Sequence, residues 1–147
     1  MSQQPLKLLA LDSEDLAIVS AHLQDAQLSV GDLVYLPREK RFAFAADRFD
    51  WEGAATEQAC RRRRTAVHFE GVTAVRSRGF DVAQRERQLS LLAVAFEQGD
   101  APAGKVMLHF DGGACVCLDV ECLEAALKDL GPCWEVAGQP VHPLEDA

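Results

Sequence analysis

The feature that most constrains this chain is a pair of alternating apolar runs flanking a glycine turn. Val106, Leu108 and Phe110 occupy every second position, Asp111, Gly112 and Gly113 follow, and Val116, Leu118 and Val120 alternate again. Period-two alternation buries one face of a strand, and a glycine-rich break joins two such strands as an antiparallel hairpin. Loop length then selects the register. A two-residue loop at Gly112 and Gly113 sets Phe110 opposite Cys115 and Val106 opposite Asp119, which brings a carboxylate onto the apolar face. A three-residue loop, with glycine in the left-handed conformation, instead sets Phe110 opposite Ala114, Leu108 opposite Val116 and Val106 opposite Leu118. It also places Lys105 opposite Asp119, His109 beside Cys115 and Met107 beside Cys117. The second register is the one predicted.

The same reading extends along the chain. Asp12 and Ser13 are N-cap residues, Glu14 and Asp15 put negative charge in a first turn, and Leu16, Val19, Leu23 and Ala26 recur at helical spacing, which predicts a helix over 13–26 with Ile18 widening its stripe. Residues 30–36 and 41–46 read as a hairpin around Pro37 and three charged residues, and 54–64 as a long loop. Residues 65–79 read as two strands broken at Glu70 and Gly71. The nearly continuous apolar run 89–96 reads as a strand covered on both faces, and 99–104 as a loop. Leu123, Ala126, Leu127 and Leu130 form a helical stripe over 122–130 that ends at Gly131 and Pro132. A helix, six or seven mostly antiparallel strands and a C-terminal amphipathic helix define an α+β class, with the strands in a barrel or strongly bent sheet. With 147 residues, 48% of them apolar, the chain suits a single domain over 1–147, compact over 6–134, with a polar tail 135–147 loosely held.

Charge narrows the function classes. The net charge of −8 argues against general nucleic-acid binding, which draws its affinity from clustered Lys and Arg against phosphates. That average conceals an asymmetry: between Arg61 and Gln88 eight arginines face three acids, a local net of +5 that leaves −13 elsewhere. No apolar run approaches the ~18 residues of a membrane span, and the N-terminus lacks a basic stretch followed by an apolar core. Five cysteines, three of them within 115–122, fit no small disulfide framework. Reduced thiols and a cytoplasmic location are expected.

Two constellations carry candidate chemistry. Arg61, Arg62, Arg63 and Arg64, together with Arg76 and Arg78 two apart on a strand, are candidate ligands for a phosphate or an acidic partner, since guanidinium groups bind such anions through paired hydrogen bonds. The bland reading is a solvated charge run, and so many adjacent cations require either a partner or nearby Asp and Glu to balance them. His109, Cys115, Cys117 and Cys122 are the alternative, a metal or reactive-thiol site, because imidazole and thiolate are zinc ligands and the hairpin register puts three of them on one face. Cys-x-Cys on a strand lacks the paired ligand spacing of most structural zinc sites, and buried free cysteines are often simple core residues. Phosphate-loop, nucleophile-elbow, metalloprotease and dinucleotide signatures are absent from the sequence. Phe42 and Phe44 are core residues by alternation, which weakens any base-stacking platform built on them with Phe49, Trp51 and Phe69. His22 and His68 read as structural or surface residues.

Several blocks then carry a resemblance: Leu6 to Asp12, Ser20 to Ala26, Tyr35-Leu36-Pro37, Arg48 to Glu52, Val75 to Gly79 and Val120 to Glu124. Together they resemble the bacterial domain-of-unknown-function family 2948 over about residues 6–134, which implies one compact domain and brings no activity, cofactor or catalytic residue. Separately, antiparallel strands ending in an amphipathic helix are similar in order to pleckstrin-homology-like barrels, scaffolds that usually bind peptides or anionic headgroups. The resulting expectation is a non-enzymatic binding or interaction module, monomeric or homodimeric, with a local basic site for an acidic protein or phosphate-bearing ligand and no predicted cofactor. The alternative is a small metal-binding or thiol-dependent enzyme built on the His/Cys cluster.

Overall fold

The structure, a computed structural model, describes residues 5–51, 54 and 60–136. Strand β1 (Lys7–Ala10) leads into helix α1 (Ser13–Leu23). There follow β2 (Ala26–Ser29), a short 3-10 turn, β3 (Val34–Leu36), β4 (Arg41–Phe49), β5 (Arg61–Glu70), β6 (Val72–Arg78) and β7 (Gln88–Gln98). The chain continues through β8 (Gly104–Phe110), β9 (Cys115–Val120) and β10 (Ala125–Glu135).

All ten strands belong to one antiparallel sheet in the order β1-β10-β5-β4-β2-β7-β8-β9-β6, with β3 added to β4. The hydrogen-bonded path has two ends, β1 and β6, so the sheet does not close into a barrel. The expected pleckstrin-homology-like α+β arrangement is therefore replaced by a fold that is mostly sheet, with α1 packed on β7 and β1. β5 and β6 follow each other across Gly71 without pairing; at φ +70° this residue adopts a conformation that L side chains rarely take, and the chain turns there from one half of the sheet to the other. The halves meet again where the Val72 N–H donates to the Lys40 carbonyl and the Tyr35 hydroxyl to the Val72 carbonyl. Between them lies a continuous core that includes Phe42, Phe44, Val67, Phe69, Leu91, Leu108, Leu118 and Leu127.

The hairpin that set the starting constraint has the three-residue register. Lys105 pairs with Asp119, Val106 with Leu118, Met107 with Cys117, Leu108 with Val116 and His109 with Cys115, and the Phe110 N–H donates to the Ala114 carbonyl. Gly112 stands at φ +69°. Asp12 caps α1 by accepting from the Asp15 N–H, and Leu16, Val19 and Leu23 face the core. Ile18 does not widen the stripe: it is 52% exposed, on the flank of a helix that presents one side to β7. The break at Gly71 lies where the sequence places it, and the β3–β4 hairpin does so with a shorter first arm, since residues 30–32 form the 3-10 turn and only 34–36 are strand. The β7 run is covered on both faces only in part, because a bulge between Leu91 and Ala93 turns Leu92 outward and leaves the Val94 N–H to the Ser20 hydroxyl.

Two expectations fail for one physical reason. The C-terminal amphipathic helix is instead β10, hydrogen-bonded to β1 on one side and β5 on the other. The apolar residues 123, 125 and 127 do alternate inward, but the next inward position is Asp129, and this buried charge hides the period from a hydropathy reading. Residues 61–64 are likewise not loop but the first part of β5, paired with both β4 and β10. Their inward positions hold Arg63 and Thr65 where a hydropathy reading requires apolar residues. Within the expected loose tail, Glu135 still pairs with Arg61 at the end of β10, and 137–147 lie outside the described residues.

Candidate functional site

The basic residues separate into two groups with opposite environments. The first lies where β4, β5 and β10 carry their inward rows past the apolar core. Along β4 the sequence Phe42, Phe44, Ala46 continues inward to Arg48, along β5 the row Phe69, Val67, Thr65 continues to Arg63, and along β10 Ala125 and Leu127 continue to Asp129. Asp129 accepts from Arg48 Nε at 2.9 Å and Nη2 at 2.8 Å, from the Thr65 hydroxyl at 2.7 Å and from the Leu6 N–H at 2.8 Å. Both side chains of the Arg48–Asp129 pair are 1% exposed. Burial pushes the Asp129 carboxyl upward, but the hydrogen bonds from Arg48, Leu6 and Thr65 outweigh it and leave it below the usual carboxylate range.

The four consecutive arginines belong to this group, and Arg62, Arg63 and Arg64 are occupied internally. Arg63 Nε donates to Asp50 Oδ2 at 3.2 Å, with both side chains buried. Arg62 Nη1 donates to the carbonyls of Asp25 and Asp47, and burial pulls this guanidinium below its ordinary value against the opposing pull of Asp25 and Asp47. Arg64 pairs with Asp47 at 3.1 Å and Asp32 at 3.5 Å. Arg61, half-buried, stands opposite Glu135 in the backbone register of β5 and β10. The acids that balance the run are thus in the same domain, dispersed over 25–50, and the arginines work as the polar end of a core.

Arg76 and Arg78 do not join them. They lie in the other half of the sheet, on the exposed face of β6, in register with Cys117 and Cys115. Arg76 donates to both oxygens of Asp119, at 3.0 and 2.9 Å, and to the Cys117 sulfur at 3.3 Å. Asp119 also receives Lys105 Nζ at 3.2 Å, so a single carboxylate serves two cations. The bonds from Arg76, helped by Lys105 and opposed by burial, hold Asp119 below the usual carboxylate range. Arg78 is exposed and has no side-chain partner among the described residues. With Met107, Cys115 and Cys117 the two arginines line a shallow outer groove. Arg85 and Arg87 add positive charge in the following loop, where they donate to the carbonyls of Gly31 and Gly79.

The His/Cys constellation shares this face without forming a ligand set. His109 is exposed, Cys115 buried and Cys117 half-buried beside Arg76, while Cys122 lies past β9 in the turn before β10. Among the described residues no group of three or more His, Cys, Asp and Glu is placed to hold a metal ion. Sequence reasoning missed Arg48, Asp50, Thr65 and Asp129 as a connected network. The available signal was each strand's alternation, in which Arg48 and Asp129 occupy inward positions.

On the other side of β6 runs a second groove, between that strand and β3, lined by Leu33, Tyr35, Val75, Phe80 and Val82 among others. Among the described residues β3 and β6 each pair with one strand, so this groove is where the two sheet halves stay open to each other. No helix among the described residues is long and apolar enough to cross a membrane.

The chain belongs to the family described as protein of unknown function (DUF2948), whose profile matches residues 6–142. Neither the curated proteins nor the solved structures contain a match to it.

Proposed function

We propose that this member of the DUF2948 family is a non-enzymatic binding module whose site for an acidic protein partner is the exposed face of β6, centred on Arg76 and Arg78. The observation that carries the reading is the state of Arg78: an exposed guanidinium with no side-chain partner among the described residues, two positions along β6 from Arg76, which itself shares one carboxylate with Lys105. A guanidinium held on a strand presents its donors in a fixed plane suited to carboxylate or phosphate oxygens. The basic site expected from the sequence is thereby narrowed, since Arg62, Arg63 and Arg64 donate to groups within the domain.

The test is calorimetric titration of the protein with a hexaglutamate peptide and, separately, with inorganic phosphate. The expected outcome is peptide binding that weakens with added salt and falls at least about tenfold in Arg76→Ser/Arg78→Ser. Binding of phosphate alone redirects the reading to a phosphate-bearing ligand. Equal peptide binding by wild type and double variant overturns it.

A further inference from the structure

We infer that the partner binds as an extended strand added to the free edge of β6, with side chains that alternate between apolar and acidic. This rests on the reading of Arg76 and Arg78 as the acidic-partner site and specifies how the partner is held. The register of the sheet identifies the donors and acceptors. Phe110 and Ala114 form a hydrogen-bonded pair, and in an antiparallel ladder such pairs recur at every second position, so Leu108 and Val116 form the next one. Val116 therefore turns its backbone groups to β8, and Cys115 and Cys117 turn theirs to their β6 partners, Arg78 and Arg76. The N–H and C=O of Val75 and Ser77 then point away from β9, to the side where β6 has no neighbouring strand among the described residues. The Gly79 carbonyl, next in the same series, takes the Arg87 guanidinium at 3.3 Å, as an outward-facing group would.

A strand laid along this edge would meet two chemically different surfaces. On one side its side chains enter the groove lined by Leu33, Tyr35, Phe80 and Val82, whose volume of about 260 Å³ is below the usual range for drug-sized ligands and suits individual apolar side chains. On the other side its side chains stand beside Arg76 and Arg78, on the exposed face. Because a strand alternates its side chains with period two, one edge addition satisfies both surfaces only with an apolar/acidic alternation. A second copy of this chain is the disfavoured occupant. Two β6 edges paired to each other would bring four arginines together, and like charges on neighbouring strands destabilise the pairing.

The experiment compares two peptides of about seven residues, one alternating Val and Glu and one with the same residues in two blocks, titrated into wild type and variants. Ser77→Pro removes one outward N–H without touching the β9 ladder, as proline is tolerated at an edge. Val82→Asp places a carboxylate in the groove at a residue that is 64% exposed, where folding is undisturbed. The expected result is that wild type prefers the alternating peptide by about tenfold, and that either variant removes the preference while hexaglutamate binding is retained. Equal binding of the two peptides, with Val82→Asp silent, overturns strand addition and leaves the basic site standing. Insensitivity of every peptide to Arg76→Ser/Arg78→Ser overturns the underlying reading instead. A concentration-dependent dimer that Ser77→Pro dissolves, seen by light scattering, overturns the proposal in favour of self-pairing.

Discussion

Two regions of this sheet carry arginines in numbers, and they use them in opposite ways. At the end of the β4–β5–β10 rows, Arg48 and Arg63 are buried against Asp129 and Asp50, and Arg62 and Arg64 are half-buried against carbonyls and carboxylates of 25–47. On β6, Arg76 shares its acid with Lys105 and Arg78 has no side-chain partner among the described residues. The denser run in sequence is thus the poorer candidate for binding, because guanidinium donors committed inside a fold are not available to a ligand. A buried arginine requires a nearby acid and every donor placed, while an exposed one requires neither. Counting charges along a chain locates both groups without separating them.

The largest expected effect tests the buried side of that contrast. Asp129→Ala leaves Arg48 charged and buried without its carboxylate and strips the acceptor from the Leu6 N–H and the Thr65 hydroxyl. A loss of about 3–5 kcal/mol in unfolding free energy is expected by urea denaturation. Replacing Arg48→Met in the same chain is expected to recover part of that loss, since the orphaned charge is then gone. A single variant that unfolds no more easily than wild type breaks the comparison, because the network would then be incidental to folding.

Acid unfolding sharpens it. Asp129 and Asp119 are both held below the ordinary carboxylate range, one in each region. A carboxyl whose folded pKa is depressed contributes stability that is present above its unfolded value, about 4, and is lost as pH falls through the folded value. Stability is therefore expected to drop below about pH 4. Asp129→Asn should flatten that acid limb more than Asp119→Asn, because Asp129 is enclosed with all its partners, while Asp119 sits on the surface where water screens the pairing. Equal flattening by the two variants would place the two regions in the same electrostatic class.

How far the sequence discloses these regions follows from where charge enters the alternation. The hairpin 104–120 is legible to the residue because its inward positions are all apolar and only one loop length keeps Asp119 off that face. β10 and the first part of β5 are not, because Asp129, Arg63 and Thr65 occupy inward positions and a hydropathy reading takes them for the end of a strand. The helical stripe of Leu123, Ala126, Leu127 and Leu130 is present in the sequence, yet pairing with two strands overrides it. β1 is four residues long and is defined by a partner more than a hundred positions away. The edge groove has no local signature, since Leu33, Val75 and Val82 come from segments separated by the turns at Gly71 and Gly79.

Arg64→Ala probes the boundary between the two behaviours. Its side chain is one-third exposed and reaches Asp47 and Asp32, so a loss of about 0.5–1 kcal/mol is expected, well below that of the enclosed pair. Calorimetric melting checks it. A loss as large as that of Asp129→Ala would extend the buried network to the edge of β5.

The smallest expected change in stability is the most informative about function. Arg78→Ser removes no side-chain hydrogen bond or ion pair among the described residues, so the unfolding free energy should stay within about 0.5 kcal/mol of wild type. The same substitution should weaken hexaglutamate binding, whereas Arg64→Ala should leave it intact. A residue that contributes nothing to the fold and much to an acidic ligand is what a binding surface requires, and the reverse result would assign Arg78 to the fold. Urea denaturation and titration on the same two variants therefore separate the roles, provided both are measured at one ionic strength, because exposed charge pairs weaken with salt and enclosed ones do so much less.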